Sequence, residues 1–407
     1  DLGGNGGGWC TNWPNGAESW ETFHIGQLIP WVDQNLPTTA SRSGRAIAGL
    51  SQGGFCSLSY AARHPDLFSI ALGYSGAPDI WFDKPAYAGA KLIINATEVG
   101  LTGVSPDTFF GNSVTDQLGW AAHDPATLAE NLAGTKMYMY WGNGFPGPYD
   151  TGSAAAPGEQ NAIEGAVYYD NEFFQQRLDS LGIPAYYNAY GNGTHAWPYW
   201  AQDLKLSIGD IMSDFASPAP PPSRVTYTSA ENQYSVYGWT VTMDRTAQEF
   251  STLQSADACG FRLAGSGSAT IQTPADYTPG DSYGVSFSGP NASGQQTVQA
   301  NSNWQLTLQV PLGPSNQFQE YTAQAEASGT KIYTTAVTIG TCSAPPPPPP
   351  CSVPPPLETG SQVAAGPGDE CATDASVTPD GTASTTSAPA LPLAPAGDTS
   401  PLPVGPS

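Results

Sequence analysis

The chain has 407 residues, with 12 Lys and Arg against 35 Asp and Glu, a net charge of −23, and only 12% of its residues are charged. A chain this acidic repels phosphate backbones, which excludes nucleic-acid binding. Its 46 glycines and 39 prolines exclude a wholly helical fold, and no apolar run approaches the ~18 residues of a transmembrane helix.

The chain opens DLGGNGGGWC without an initiator Met, so it reads as processed or incomplete. Residues 1–215 then alternate strand-like and helix-like stretches. A helix is expected from Trp20 to Asn35. Arg45-Ala46-Ile47-Ala48-Gly49 is a short apolar run, readable as a buried strand, and it feeds Gly49-Leu50-Ser51-Gln52-Gly53-Gly54, with a helix-like stretch from Phe55 to Arg63 behind it. A second strand, Lys136 to Trp141, ends in Gly142-Asn143-Gly144. A helix is expected from Glu172 to Leu181, a strand from Ala185 to Tyr190, and a last amphipathic helix after Trp197-Pro198-Tyr199-Trp200, reaching Phe215.

Residues 216–223 form a short Pro-rich linker. From 224 to 342 the period changes to two. Tyr237, Trp239, Val241 and Met243 alternate with polar neighbours, as do Tyr283, Val285 and Phe287, then Trp304, Leu306, Leu308 and Val310, then Tyr333, Thr335, Val337 and Ile339. Such runs between Gly, Pro, Asn and Ser clusters predict a small all-β sandwich. Residues 343–407 hold 17 prolines and no aromatic, Lys or Arg residue. They bury too little apolar surface to order themselves and are expected to form a disordered tail, either a wall-spanning spacer or a solubilising extension. The fold class expected is therefore α/β, a parallel sheet with flanking helices, followed by an all-β domain and this tail.

The chemistry concentrates in the first part. Strand, G-x-S-x-G, helix is the pattern of a nucleophile elbow, in which a tight turn lifts a serine hydroxyl above the sheet. Side chains at Gly49 and Gly53 are expected to collide with the adjoining strand and helix. The backbone N–H of Gln52, at the helix N-terminus, is aimed at a developing oxyanion. Ser51 needs an imidazole as base. Of the four histidines, His24 lies in a helix, His64 caps the helix after the elbow, and His123 sits in a turn. His195, in the loop after the last strand, is where an α/β-hydrolase delivers its base. The acid should lie between the strand ending at Trp141 and the helix at Glu172. Asp150, Glu159, Glu164 and Asp170 all qualify by spacing.

Six cysteines, Cys10, Cys56, Cys259, Cys342, Cys351 and Cys371, include no C-x-x-C pair, and with four histidines they form no zinc pattern. An even count in a Lys-poor, Pro-rich chain suits an exported, disulfide-bonded protein. Cys259 with Cys342 would staple the β unit, and Cys351 with Cys371 would close a loop in the tail. Cys56, on the post-elbow helix, is expected to be a buried free thiol.

Taken in order, Ser19-Trp20-Glu21-Thr22-Phe23, Leu28-Ile29-Pro30-Trp31, Gly49-Leu50-Ser51, His64-Pro65, Tyr74-Ser75-Gly76, Gly142-Asn143-Gly144, Ile163-Glu164-Gly165 and Gly193-Thr194-His195-Ala196-Trp197-Pro198-Tyr199-Trp200 resemble the secreted mycolyltransferases of the antigen 85 family, in the esterase D group of α/β-hydrolases. The resemblance spans roughly residues 1–215. It implies that Glu164 is the acid, completing Ser51, Glu164 and His195, and that Trp197 walls the sugar or acyl pocket. It implies acyl transfer through an acyl-enzyme, with acylated trehalose or another glycolipid as donor and trehalose or a cell-wall polysaccharide as acceptor. It also implies a secreted, wall-associated protein that needs no metal or organic cofactor.

Three departures stand out. The family's strands ahead of the nucleophile are missing from this sequence, so the chain reads as starting after the fourth strand, and these 407 residues alone are expected to turn over little. Trp141 stands where the family often has a cysteine. The elbow reads Gln52-Gly53-Gly54 instead of a Met-Ala-Ala-like sequence, which is closer to general esterases. A carboxylesterase on sugar or lipid esters uses the same triad, and a non-catalytic envelope or matrix-binding protein is the remaining alternative.

Overall fold

The computed structural model describes residues 8–81, 95–96, 99–100, 103–150 and 158–340. A first helix, α1, runs through three consecutive stretches, Trp20–Phe23, a π-helical His24–Leu28, and Ile29–Asn35. The apolar run ahead of Ser51 is β1 (Ala46–Leu50). It leads into α2 (Gln52–Arg63) and then β2 (Ile70–Tyr74), β3 (Lys136–Trp141), α3 (Gly158–Ser180), β4 (Tyr186–Ala189) and α4 (Trp197–Ala216).

The four strands pair in parallel in the order β1-β2-β3-β4. Leu50 is level with Tyr74, and Tyr74 with Tyr140, so the strands end together and their following loops gather along one edge. β2 is buried throughout, as a parallel strand covered on both faces must be. On one face Leu58, Ala61 and Ala62 of α2 and Val167, Phe174 and Leu178 of α3 pack on Ala71, Met137, Met139 and Trp141. On the other, Trp200 and Ile211 of α4 pack on Ile70, Leu72, Tyr74 and Tyr140. This is an α/β-hydrolase-like layer structure, with β1 as its half-buried edge strand.

α3 begins well ahead of Glu172. Its buried face includes Glu164, Asp170 and Asn171, so polar residues interrupt the apolar periodicity by which a helix is read from sequence. Asp170 in particular is buried with neither carboxyl oxygen hydrogen-bonded among the described residues, and burial, with Asp79 and Asp124 nearby, pushes its carboxyl well above the usual range.

Beyond α4, ten antiparallel strands follow among the described residues: β5 (Val225–Ser229), β6 (Gln233–Val236), β7 (Trp239–Asp244), β8 (Ser251–Asp257), β9 (Gly260–Gly265), β10 (Gly267–Gln272), β11 (Ser282–Gly289), β12 (Ala292–Gln299), β13 (Thr307–Gly313) and β14 (Tyr333–Ile339). They form a six-stranded sheet, β12-β11-β14-β9-β8-β5, and a four-stranded sheet, β13-β10-β7-β6. Val241, Ile271, Leu308 and Val310 from the smaller sheet meet Leu253, Phe261, Leu263, Val285 and Val337 from the larger in one core, a sandwich in which buried and exposed residues alternate.

Two residues expected in strands lie outside them. Tyr237 (φ 46) and Gly238 (φ 83) are the two central residues of the β6–β7 hairpin, where both positions need positive φ. Trp304 (φ 64) sits in the turn before β13. The alternating pattern does not register a change of backbone region.

The two halves share more than a connection. Ala230 and Phe250 join the core around Leu58 and Leu132. Asn131 and Thr228 exchange two hydrogen bonds of 2.9 and 2.8 Å. Arg63, at the end of α2, pairs with Glu231 at 3.2 Å, and its carbonyl accepts from Tyr227 Oη at 2.6 Å. The tail with Cys351 and Cys371, and the proposed partner Cys342, lie outside the described residues.

Candidate active site

Ser51 occupies the junction of β1 and α2 with φ 53 and ψ −124, a conformation that costs of order 1–3 kcal/mol for a non-glycine residue. It is held by its own N–H on Tyr74 O at 2.9 Å and by Gly54 N–H on Ser51 O at 2.8 Å. The tight approaches are made by Gly49, where a Cβ would strike the Gly53 carbonyl, and by Gly54, where it would lie 2.6 Å from Gly76 Cα. Gly53, by contrast, faces open space, which corrects the expectation of a clash there. The first turn of α2 therefore crowds Gly49, and the loop after β2 crowds Gly54. Gln52 opens α2, so its backbone N–H belongs to the positive end of that helix.

The loop after β4 brings His195 to this turn. Its Nε2 is 2.7 Å from Ser51 Oγ, and its Nδ1 is 2.7 Å from Glu164 Oε2. His195 is 8% exposed, and Trp200 meets its ring edge-on at 4.9 Å. Glu164 is fully buried. Its second oxygen, Oε1, accepts the Gly142 N–H at 2.7 Å and the Ser75 hydroxyl at 2.9 Å. Three donors therefore compensate the desolvation of this carboxylate. With Nδ1–H directed to Glu164, Nε2 is left to accept the Ser51 proton.

The other acid candidates are engaged elsewhere. Asp150 Oδ1 accepts from Thr194 at 2.7 Å, and Oδ2 accepts from Gly147 N–H at 2.9 Å and from Tyr199 at 2.6 Å. Against the desolvation that would raise it, these bonds hold its carboxyl below the usual value. Asp150 therefore clamps the loop that carries His195. Glu159 is exposed, and Asp170 is buried within α3. The remaining histidines sit apart from Ser51. His24 Nδ1 meets Tyr60 Oη at 3.0 Å, His64 Nε2 meets Glu21 at 2.7 Å, and His123 Nδ1 meets Gly119 O at 2.7 Å.

Two residues near the site carried no sequence signal of their role. Ser75, with φ 46 and no exposure, holds its N–H on Tyr140 O at 2.7 Å and its hydroxyl on Glu164. Asp203, on the buried side of α4, has no hydrogen bond to its carboxyl oxygens among the described residues, and burial, with Glu164 nearby, pushes it up to about 7.

A cavity of about 290 Å³ opens beside His195, lined by Tyr149, Asp150, Gln160, Trp197 and Trp200. Trp197 is 71% exposed on its rim. Trp141 is fully buried in the core. Cys56 is no free thiol: it is bonded to Cys10 across 46 residues, with the two Cα atoms 5.6 Å apart. The bond lies among Trp9, Phe55 and Phe110, a tertiary meeting that sequence spacing does not encode. Cys259 is also disulfide-bonded. Among the described residues no cluster of His, Cys, Asp and Glu is arranged to hold a metal ion, and no helix is long and apolar enough to cross a membrane.

A family model described as putative esterase matches residues 9–211. The diacylglycerol acyltransferase/mycolyltransferase Ag85B of Mycolicibacterium smegmatis is 30% identical over 196 residues, 47% of this chain and 57% of that protein. The MPT51 antigen of Mycobacterium leprae is 32% identical over 206 residues, 50% of this chain and 63% of that protein. The crystal structure of MPT51 from Mycobacterium tuberculosis aligns with a TM-score of 0.42 at 26% identity, covering 50% of this chain and 72% of that one. The chain thus spans less than two thirds of the length of these curated relatives.

Proposed function

Since the chain belongs, through residues 9–211, to the putative esterase family and has antigen 85-type acyltransferases among its relatives, we propose that it is a serine acyltransferase of mycolyltransferase type, acting through an acyl-enzyme on Ser51. The observation that carries this reading is the run of two 2.7 Å contacts from Ser51 Oγ through His195 to the buried Glu164.

In the proposed reaction His195 Nε2 takes the Ser51 proton as Oγ attacks the acyl carbonyl of a glycolipid ester. The oxyanion that forms faces the backbone N–H of Gln52 at the head of α2. Such a donor contributes about 10²–10³-fold. Glu164 holds the imidazole in the Nδ1–H tautomer and offsets the imidazolium charge. Collapse of the intermediate breaks the ester C–O bond, and the leaving sugar oxygen takes the proton from His195. A second hydroxyl then enters, loses its proton to His195 and attacks the acyl carbonyl, and as the acyl–Oγ bond breaks His195 returns that proton to Ser51 Oγ. Trp197, on the rim of the cavity, gives this alcohol an aromatic wall.

The donor proposed is an acylated trehalose or another glycolipid, the acceptor trehalose or a cell-wall polysaccharide, and the location secreted and wall-associated. The Cys10–Cys56 disulfide supports an oxidising compartment. The second reading, carboxylesterase, is favoured by the Gln52-Gly53-Gly54 elbow and by a relative named as an esterase at 31% identity over 181 residues. Adding trehalose during turnover of a chromogenic acyl ester separates the two. Acyl-trehalose should form at the expense of free acid. Product that remains free acid at every trehalose concentration would overturn the transferase reading and leave the esterase.

A further inference from the structure

The outer face of the four-stranded sheet has an unusual composition for so acidic a chain. Across it, in register, run Gln309, Thr270, Thr242 and Gln233. The neighbouring row is Thr307, Gln272, Thr240 and Ser235. All eight side chains point away from the core, as the alternating burial of β6, β7, β10 and β13 requires, and every one is an uncharged amide or hydroxyl. They are pre-ordered along the rows. Thr270 and Gln309 bond through their side chains at 2.9 Å, and Ser235 and Thr240 do so at 2.9 Å. Gln272 Nε2 donates to Gln305 Oε1 at 2.6 Å, which extends the second row beyond the strand.

Next to Gln305 stands Trp304. Its φ is 64 and it is 51% exposed. The turn is rigidly built. Asn301 Oδ1 accepts from Asn303 and Gln305 N–H, Trp304 N–H donates to Asn301 O, and Trp304 O accepts from Tyr277 N–H. Glycine or asparagine satisfies such a turn without steric cost. Here the position is given instead to an indole that contributes little to the core, and a left-handed backbone at a large, exposed side chain is a feature that persists where it serves binding.

We propose that this face is a binding site for a neutral polysaccharide chain, separate from the Ser51 site, with Trp304 as the stacking platform and the Gln and Thr rows as hydrogen-bonding partners for sugar hydroxyls. Four strands at about 4.8 Å spacing give a flat strip about 14 Å wide. The two rows carry no charge within a protein of net charge −23, and Asp244, exposed on the same face at the end of β7, disfavours an anionic ligand over a neutral one. Sugars present both an apolar C–H face, which an aromatic ring accepts, and paired hydroxyls, which amides and hydroxyls in a row accept. The inference does not depend on the acyl-transfer reading.

Affinity gel electrophoresis of the 407-residue chain through gels holding mannan, β-glucan, galactan or dextran tests it, with polygalacturonate as an anionic control and phosphatidylcholine vesicles as a lipid control. Retardation is expected in at least one neutral polysaccharide and not in polygalacturonate. Trp304→Ala should weaken it by about ten-fold or more, and Thr270→Ala with Gln309→Ala should weaken it independently. Ser51→Ala should leave it intact. Because Trp304 is exposed, unchanged near-ultraviolet circular dichroism of the β core and an unchanged melting temperature will separate lost binding from lost folding. Absence of retardation in all four gels, retardation equal in the parent and both variants, or adsorption to the vesicles alone would overturn the proposal.

Discussion

Ser75 donates its hydroxyl to Glu164 at 2.9 Å, on the carboxylate oxygen turned away from His195. The backbone at Ser75 adopts φ 46 to do so, and the residue is wholly buried. Glu164 is thus fixed by a residue from β2's loop, while the imidazole it meets comes from β4's loop. Replacing Ser75 by alanine should lower kcat/KM by about ten-fold, the loss expected from one hydrogen bond to a buried charge, with KM little changed. An unchanged kcat/KM would show that the Gly142 N–H suffices.

Glu164 and Asp150 separate cleanly in their expected effects. Glu164→Gln keeps the shape but offers the wrong partner to Nδ1–H, so kcat/KM should fall by about 10³–10⁴-fold, and labelling of Ser51 by a fluorophosphonate probe should slow in parallel. Asp150→Asn disturbs the Thr194 and Tyr199 clamp and should cost far less. The reverse order in a side-by-side kinetic comparison would move the acid role to Asp150.

The two adjacent glycines that follow Ser51 and Gln52 give opposite expectations. Gly53→Ala faces open space and should leave stability unchanged or raise it by about 0.5–1 kcal/mol through helix propensity. Gly54→Ala drives a methyl into Gly76 and should cost about 1–3 kcal/mol. Urea denaturation of both variants checks the pair. Equal effects would mean that the turn relaxes around either methyl.

Asp203 makes stability depend on pH. Its carboxyl, ordinarily near 3.8, is pushed up to about 7 by burial and by the proximity of Glu164. Between those values the folded chain binds the proton that the unfolded chain has released, so the contribution of Asp203 to stability is fully present below pH 4 and is lost as pH rises toward 7. Asp203→Asn removes that loss. The variant should be more stable than the parent at pH 8, by roughly 1–3 kcal/mol, and no more stable at pH 4. Thermal melts at the two pH values give the comparison, and a difference of the same size at both would assign the effect to packing.

Reduction of Cys10–Cys56, or Cys56→Ser, should destabilise the chain by about 2–4 kcal/mol, as expected for a loop of this length. Melting curves with and without reductant test this, and an unchanged Tm in Cys56→Ser would show that the aromatic cluster alone anchors residue 10.

The sequence carried some of these features better than others. The turn at Ser51 was legible because glycine spacing reports backbone geometry directly, although it was Gly54 and not Gly53 that the neighbouring loop crowds. The strand Lys136–Trp141 was legible because both of its faces are apolar or aromatic. The front half of α3 was not, since Glu164, Asp170 and Asn171 face inward for reasons of charge and hydrogen bonding that no hydrophobic period contains. Tyr237 and Trp304 were drawn into strands by alternation that continues past the ladder into turns of positive φ. The partnership of Cys10 and Cys56 depends on Trp9, Phe55 and Phe110 collapsing together, which is a property of the assembled core.

The ends of α2 belong to different halves of the molecule: Ser51 precedes one, and Arg63, held by Tyr227 and Glu231 of the antiparallel half, closes the other. A hybrid protein made by cutting at the proline stretch and grafting on an unrelated C-terminal module would strip Arg63 of those contacts and bare the Leu58 and Leu132 side of the core. The two halves therefore complete one another's packing, and the proline stretch, despite its composition, is a poor place to cut the chain.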